Sequence, residues 1–294
     1  MRLKLDYDAF LMAHRLPKSY IELAQRWFIP VLNRFDSHKK GAKPHIVGIN
    51  GCQGSGKSTL ADFAADFLST RFGLSVVILS LDDFYLPHAE RQELARTRHP
   101  LFATRGVPGT HDLALAHDVF HKLISGKPVL IPRFDKANDD RLPQSQWSIQ
   151  ESAVDVIIFE GWCVGLKPQS PNELLNPVNT LEATEDTQMI WRNAVNSALL
   201  SYADWFAYID ELWWLKAPNF ACVLNWRTEQ ERKLAQFKTG NAIMDPPALL
   251  RFVQHYQRLT EHGLQTLHGD SDVCWELDQN RQIISLNDKF SPNH

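Results

Sequence analysis

An apolar run, His45-Ile-Val-Gly-Ile-Asn50, passes without a break into Gly51-Cys-Gln-Gly-Ser-Gly-Lys-Ser58. Gly51, Gly56, Lys57 and Ser58 stand in the GxxxxGK(S/T) spacing of a phosphate-binding loop. No other feature constrains the chain as strongly, because such a loop works only between the end of a strand and the start of a helix. The glycines let the backbone turn tightly and bring its N–H groups against phosphate oxygens without a Cβ in the way. Lys57 is then read as reaching the β- and γ-phosphates, and Ser58 as offering its hydroxyl to Mg²⁺. The helix that starts near Ser58 points its positive end at the same anion. Gly51, Cys52, Gln53, Gly54, Ser55, Gly56, Lys57, Ser58 and Thr59 form the nucleotide-binding set. The alternative, a glycine-rich turn without a ligand, fits the strand before it and the helix after it less well.

A chain of 294 residues with 44% hydrophobic content can bury a full α/β core, so we expect one large domain with insertions. The net charge of −3 argues against a nucleic-acid partner, which would call for a strongly basic surface. Cys52, Cys163, Cys222 and Cys274 are widely spaced with no CxxC, so neither a zinc site nor a disulfide framework is expected, and a cytoplasmic location follows as the simplest compartment. The charged N-terminal residues do not read as a signal peptide, and no apolar run approaches membrane-spanning length, so no membrane partner is expected.

Along the chain, residues 1–44 read as an N-terminal helical extension, with one amphipathic helix from about Ser19 to Arg34. Ile46 to Asn50 is the first strand and Ser58 to Phe72 a helix ended by Gly73. The strand Val76 to Leu79 runs into Ser80-Leu-Asp-Asp-Phe-Tyr85, setting two carboxylates at a strand end, the edge where open α/β sheets hold ligands. Arg91 to Gly109 reads as a loop, with residues 98–112 and 132–150 as acceptor or lid loops inserted in the domain. Between them lie a helix, Leu113 to Ile124, and a short strand, Val129 to Ile131. Val154 to Phe159 is near-continuously apolar, as a strand covered on both faces should be, and delivers Glu160-Gly161 in the manner of a Walker B strand. Helical patterns over Met189–Ile209 and Asn219–Phe237, a strand Leu212–Leu215, a helix begun by Asp245-Pro-Pro and a small closing hairpin, Val273–Leu277 with Gln282–Leu286, complete the chain. Strands alternating with helices after a phosphate loop predict the α/β class, a three-layer P-loop sandwich with a mostly parallel central sheet.

A GTPase switch needs DxxG and NKxD and an ABC-type ATPase an LSGGQ-like signature; none occurs. A small-molecule kinase remains. Ile49-Asn-Gly-Cys-Gln-Gly-Ser-Gly-Lys-Ser-Thr59, Ser80-Leu-Asp-Asp-Phe-Tyr-Leu86, Arg105-Gly-Val-Pro-Gly-Thr-His-Asp112, Pro132-Arg-Phe-Asp-Lys136 and Phe159-Glu-Gly-Trp162 resemble the D-glycerate 3-kinase-like family, relatives of uridine kinase, pantothenate kinase and phosphoribulokinase. The resemblance extends through Asn225-Trp-Arg-Thr-Glu-Gln-Glu231. It implies ATP as phosphoryl donor, Mg²⁺, and a small-molecule acceptor, with D-glycerate the leading one. The sequence departs from the family in the short Ala137-Asn-Asp-Asp-Arg141 stretch and at Ile243-Met-Asp-Pro-Pro247, which bears on the acceptor and leaves the ATP site intact. Uridine- or pantothenate-type acceptors, and a nucleotide-binding sensor without turnover, are the alternatives.

Asp82 matches the position of the candidate base in uridine kinase-like enzymes, where a carboxylate takes or orients the acceptor's proton; a helix-capping aspartate is the competing reading, for which Asp83 is available. Side chains alternate along an extended backbone, so the two do not both face the acceptor. Glu160 is expected to hold Mg²⁺ through water or to orient the acceptor, against a buried structural role. Arg105, His111 and Asp112 are read as clamping acceptor or phosphates, against a satisfied loop. Arg133, Lys136 and Arg141 form a local basic patch suited to an acceptor carboxylate, against a solvated cluster. Asp83 and Tyr85 complete the acceptor set. Arg227 resembles the arginines that related kinases bring over the transferring phosphoryl group, against an exposed face braced by a pair with Glu231. Cys52 and Cys163 are read as small fillers beside the nucleotide site.

Overall fold

The structure, a computed structural model, describes residues 6–38, 43–235 and 245–291. In chain order, α1 (Tyr7–His14) and a broken helical run lead to β1 (His45–Gly51), α2 (Lys57–Phe72) and β2 (Val76–Ser80). Next come α3 (His88–Thr97), α4 (Leu113–Ile124) and four short strands, β3 (Val129–Ile131), β4 (Phe134–Asp135), β5 (Asp140–Arg141) and β6 (Ser148–Gln150). The chain then enters β7 (Val156–Gly161), α5 (Thr180–Glu185), α6 (Ile190–Phe206), β8 (Glu211–Lys216), α7 (Phe220–Ala235), α8 (Pro246–Asp270), β9 (Val273–Leu277) and β10 (Ile283–Asp288).

The central sheet runs β10-β9-β8-β1-β7-β2, parallel throughout except for β10. Its middle strands read as unbroken apolar runs because both faces are covered. Alternate side chains divide between two cores: Ile46, Ile157, Phe159 and Trp214 pack with Tyr202 and Trp205 of α6 on one face, while Val47, Ile49, Ile158 and Trp213 pack with Phe63 of α2 and Phe28 on the other. Three layers result, as the alternation of strands and helices predicts.

The closing hairpin forms, β9 pairing antiparallel with β10, and β9 also pairs in parallel with β8, so the hairpin extends the central sheet, with Trp275 edge-on to Trp213 at 5.6 Å between ring centroids. Three expectations change. The strand at Val129–Ile131 stays outside the central sheet and pairs antiparallel with β6. The single amphipathic helix from Ser19 is broken into Ser19–Leu23, a π turn at Ala24–Phe28, Ile29–Leu32 and a 3₁₀ turn at Asn33–Ser37. Pro30 supplies the cause, since it has no N–H to close an α turn and its ring crowds the carbonyl four residues back. The stretch read as a loop from Arg91 begins inside α3, where Arg91 is completely buried. The end of the helix expected to reach Phe237 and the start of the Ile243-Met departure lie outside the described residues.

Candidate active site

β1 ends at Gly51 and the chain turns through Cys52–Gly56 into α2. Gly54 and Gly56 have φ of +81° and +95°, a region that side chains other than glycine's enter only with strain. At Gly54 the second constraint is contact: a Cβ there would stand 2.8 Å from Cβ of Trp226 on α7. The indole N–H of Trp226 donates to the Gln279 carbonyl at 2.8 Å, so the turn between β9 and β10 backs the phosphate loop. Cys52 is buried and burial pushes its thiol up to about 12, which leaves it a filler and not a thiolate. Cys163 is likewise buried.

Parallel pairing puts Glu160 of β7 level with Ser80 of β2 and Ile49 of β1. Its Oε1 accepts from Ser58 Oγ and Ser80 Oγ, each at 3.0 Å. Its Oε2 lies 3.9 Å from Lys57 Nζ and, buried, has no hydrogen-bond partner among the described residues. An anionic oxygen left in that condition beside the phosphate loop fits a divalent cation held with Ser58. Mg²⁺ is an ion that keeps waters and phosphate oxygens around one or two protein ligands, and Ser58 and Glu160 are two such oxygen donors. Gly161 permits the approach of the next element, since a Cβ there would lie 2.5 Å from Cβ of Leu81.

Leu81–Phe84 forms a 3₁₀ turn, not the extended backbone expected for Asp82 and Asp83. A 3₁₀ turn rotates each residue by about 120°, so the two carboxylates still point apart. Asp82 accepts from Tyr85 OH at 2.7 Å and pairs with Lys136 Nζ at 2.6 Å. Burial pushes its carboxyl up, yet Lys136, Lys57 and the Tyr85 hydroxyl outweigh burial and hold it well below the usual carboxylate range. Asp83 faces elsewhere: it accepts from Arg133 at 2.8 Å and from the Phe134 backbone N–H at 3.1 Å, and burial raises its carboxyl. It fastens β4 to the strand end and caps no helix.

The acceptor set divides in the same way. Arg141 donates to Asp112 at 3.1 Å and to the Tyr85 carbonyl at 2.9 Å, while Asp112 caps α4 through the Leu115 N–H. Arg105 pairs with Asp139, and Tyr256 of α8 donates to the Arg105 carbonyl at 2.9 Å. Within the expected basic patch, Arg133 and Arg141 each brace a loop, and Lys136 is the member that reaches Asp82. His111 is buried against Tyr85, with ring centroids 4.6 Å apart. Tyr202 OH accepts from the Gly109 N–H at 3.1 Å and shares a hydrogen bond with His111 Nδ1 at 2.6 Å. Burial keeps that ring neutral, its pKa lowered to about 3. Arg227 lies with its guanidinium 5.7 Å from the Phe252 ring of α8, on the side of the phosphate loop to which Trp226 belongs. Glu231, its expected partner, has its side chain outside the described residues.

Several residues escaped the sequence reading. Ser80 shares Glu160 with Ser58, and its only signal was its position two residues before Asp82 at a strand end. Arg91 donates to the carbonyls of Leu86, Ala103 and Asp139 and pairs with the Asp139 carboxylate, tying both inserted loops together. Nothing in a polar, charged stretch distinguishes such an arginine from a solvated one. A cavity of about 680 Å³ lies at the opposite edge, where β1 and β8 begin, but its acid Glu211 is already engaged by Arg34 and His45.

Residues 46–193 match the Phosphoribulokinase / Uridine kinase family. The uncharacterized kinase mug58 of Schizosaccharomyces pombe is 38% identical over 264 residues, covering 84% of this chain and 93% of that protein. The chloroplastic D-glycerate 3-kinase of Arabidopsis thaliana is 33% identical over 264 residues, 83% of this chain, which spans 55% of that longer protein. Among solved structures, D-glycerate 3-kinase from Cryptococcus neoformans superposes with a TM-score of 0.73 at 26% identity, over 88% of this chain and 96% of the other.

Proposed function

The chain belongs to the phosphoribulokinase/uridine kinase family and is a small-molecule kinase, and from that premise we propose that it transfers the γ-phosphoryl group of ATP to a hydroxyl of D-glycerate, giving 3-phosphoglycerate. The observation that carries the acceptor class is Lys136, a cation on the inserted loop whose ammonium reaches the strand end beside the phosphate loop. The names of the Arabidopsis and Cryptococcus relatives add D-glycerate itself.

In this reading the backbone of Gly51–Thr59 cradles the phosphates and Lys57 neutralises their oxygens. Ser58 and Glu160 would hold Mg²⁺, which when bound would supply charge neutralisation for the transferring phosphoryl group. Asp82, oriented by Tyr85, accepts the proton of the attacking hydroxyl, and Lys136 binds the acceptor carboxylate. Arg227 comes down over the transferring group from α7. Arg105, His111, Asp112, Arg133 and Arg141 shape the acceptor pocket by bracing its loops. Four unpaired, buried cysteines support a reducing, cytoplasmic setting. Among the described residues no helix is long and apolar enough to cross a membrane.

Pantothenate is the second reading, because it too carries a carboxylate for Lys136. A coupled ADP-release assay over D-glycerate, pantothenate, uridine and ribulose 5-phosphate separates them: D-glycerate should be turned over best. ATP consumption independent of any acceptor would favour a sensor, and robust turnover of uridine with none of D-glycerate would defeat the hydroxy-acid reading.

A further inference from the structure

Both oxygens of Asp82 are occupied, one by the Tyr85 hydroxyl at 2.7 Å and the other by the Lys136 ammonium at 2.6 Å. A carboxylate so engaged is a poor proton acceptor, since a general base works best with a pKa near the operating pH. The two partners differ in how they are held. Tyr85 is buried, and its carbonyl is fixed by Arg141. The Lys136 side chain is 60% exposed on the turn joining β4 to β5. The backbone of that turn is anchored through Asp139 by Arg105 and Arg91. Its amine can therefore swing on a four-carbon stem while the loop stays in place.

We propose that Lys136 masks Asp82 until the carboxylate of an anionic acceptor draws the ammonium away, so that the enzyme selects hydroxy acids over neutral alcohols by which of them can unmask its base. The inference rests on the proposed kinase reading and adds the source of its acceptor selectivity. An arriving carboxylate replaces Asp82 as the partner of Lys136, one charge-assisted pair for another. A neutral alcohol has nothing to offer the ammonium, and Asp82 stays masked. Once freed, Asp82 takes the hydroxyl proton as the acceptor oxygen bonds to the γ-phosphorus. The bond from that phosphorus to the β–γ bridging oxygen breaks, its electron pair stays on ADP, and the proton later passes from Asp82 to solvent. The groups that act on Asp82 are the cations Lys57 and Lys136, the neighbouring Asp83, and the neutral Tyr85, His111, Tyr256 and Cys163.

The test is Lys136→Met in the full chain, assayed with D-glycerate and with glycerol, the same carbon frame without the carboxylate. The preference for D-glycerate, as a ratio of kcat/KM values, should collapse by on the order of 10²-fold, the usual scale for removing one partner of a close charge pair. Turnover of D-glycerate should fall and that of glycerol rise. An unchanged ratio in a wild type that does use D-glycerate overturns the masking alone, and an equal loss on both substrates assigns Lys136 to the phosphoryl group instead. If the wild type uses no hydroxy acid, the hydroxy-acid reading fails separately, and carboxyl-¹³C aspartate spectra judge the masking: Asp82 must titrate at higher pH in Lys136→Met than in the wild type. An unshifted titration overturns it.

Discussion

Asp82→Asn exchanges one carboxylate oxygen for an NH₂ group and leaves the shape of the site almost unchanged. The new amide oxygen still accepts from Lys136, and its NH₂ donates to the Tyr85 oxygen, so both contacts now at 2.6 and 2.7 Å survive with the charge removed. Stability should move little, because the Lys136 side chain is more than half exposed and such a pair contributes about 1 kcal/mol or less. Turnover should fall by on the order of 10²- to 10⁴-fold, the scale for losing a positioned general base, which is roughly 3–5 kcal/mol on the barrier. ATP affinity should stay within a few-fold, since the phosphate cradle comes from the loop after β1 and not from this strand end. Coupled ADP release gives kcat, and nucleotide titration gives the ATP affinity. Asp83→Asn is the internal control. It keeps the bond to the Phe134 N–H but sets an NH₂ against Arg133, so it should cost about 1 kcal/mol and lower Tm by roughly 2–4 °C with turnover largely retained. Loss of turnover in Asp83→Asn with activity kept in Asp82→Asn would reverse the assignment. Normal turnover in both would remove this strand end from the chemistry.

Glu160→Gln keeps one acceptor for Ser58 and Ser80 and removes the unpartnered anionic oxygen, so the Mg²⁺ concentration for half-maximal rate should rise with the fold intact; identical Mg²⁺ titrations would return Glu160 to a structural role. Gly54→Ala meets both a φ of +81° and Trp226 Cβ at 2.8 Å, so it should cost about 1–2 kcal/mol and weaken ATP binding, whereas Gly269→Ala, with nothing within 4 Å of its Cβ inside α8, should be neutral or stabilising by thermal denaturation. Burial lowers His111 to a pKa of about 3 and His255 to about 4, both below the ordinary 6.5. The unfolded chain therefore binds more protons than the folded one as pH falls from 6.5. Stability should drop through that window by up to about 1.4 kcal/mol per pH unit for each histidine. Denaturant midpoints between pH 7 and 5 check this, and His255→Gln should flatten the slope; a slope unchanged by that substitution would deny His255 its share.

The phosphate loop, its strand and helix, the Walker B strand ending in Glu160 and the carboxylates after β2 were all legible from residue order. Each is a local pattern: glycines at fixed spacing, an apolar run of strand length, a charge at its end. The α/β class followed because strands buried on both faces and helices between them leave few other ways to cover the apolar surface. What tertiary structure decided was which charge meets which. Asp83 finds Arg133 and Asp82 finds Lys136 across some fifty residues of chain. No spacing rule links those positions; they meet because the loop after β3 folds back over the end of β2. The same is true of Arg91, a polar letter in a polar stretch until Leu86, Ala103 and Asp139 surround it. The final hairpin likewise became part of the central sheet only when Trp275 packed against Trp213. Periodicity decides that a segment is a strand, but the edge it joins depends on apolar surface supplied by distant elements. A cation's task depends in the same way on the acid that the fold brings beside it.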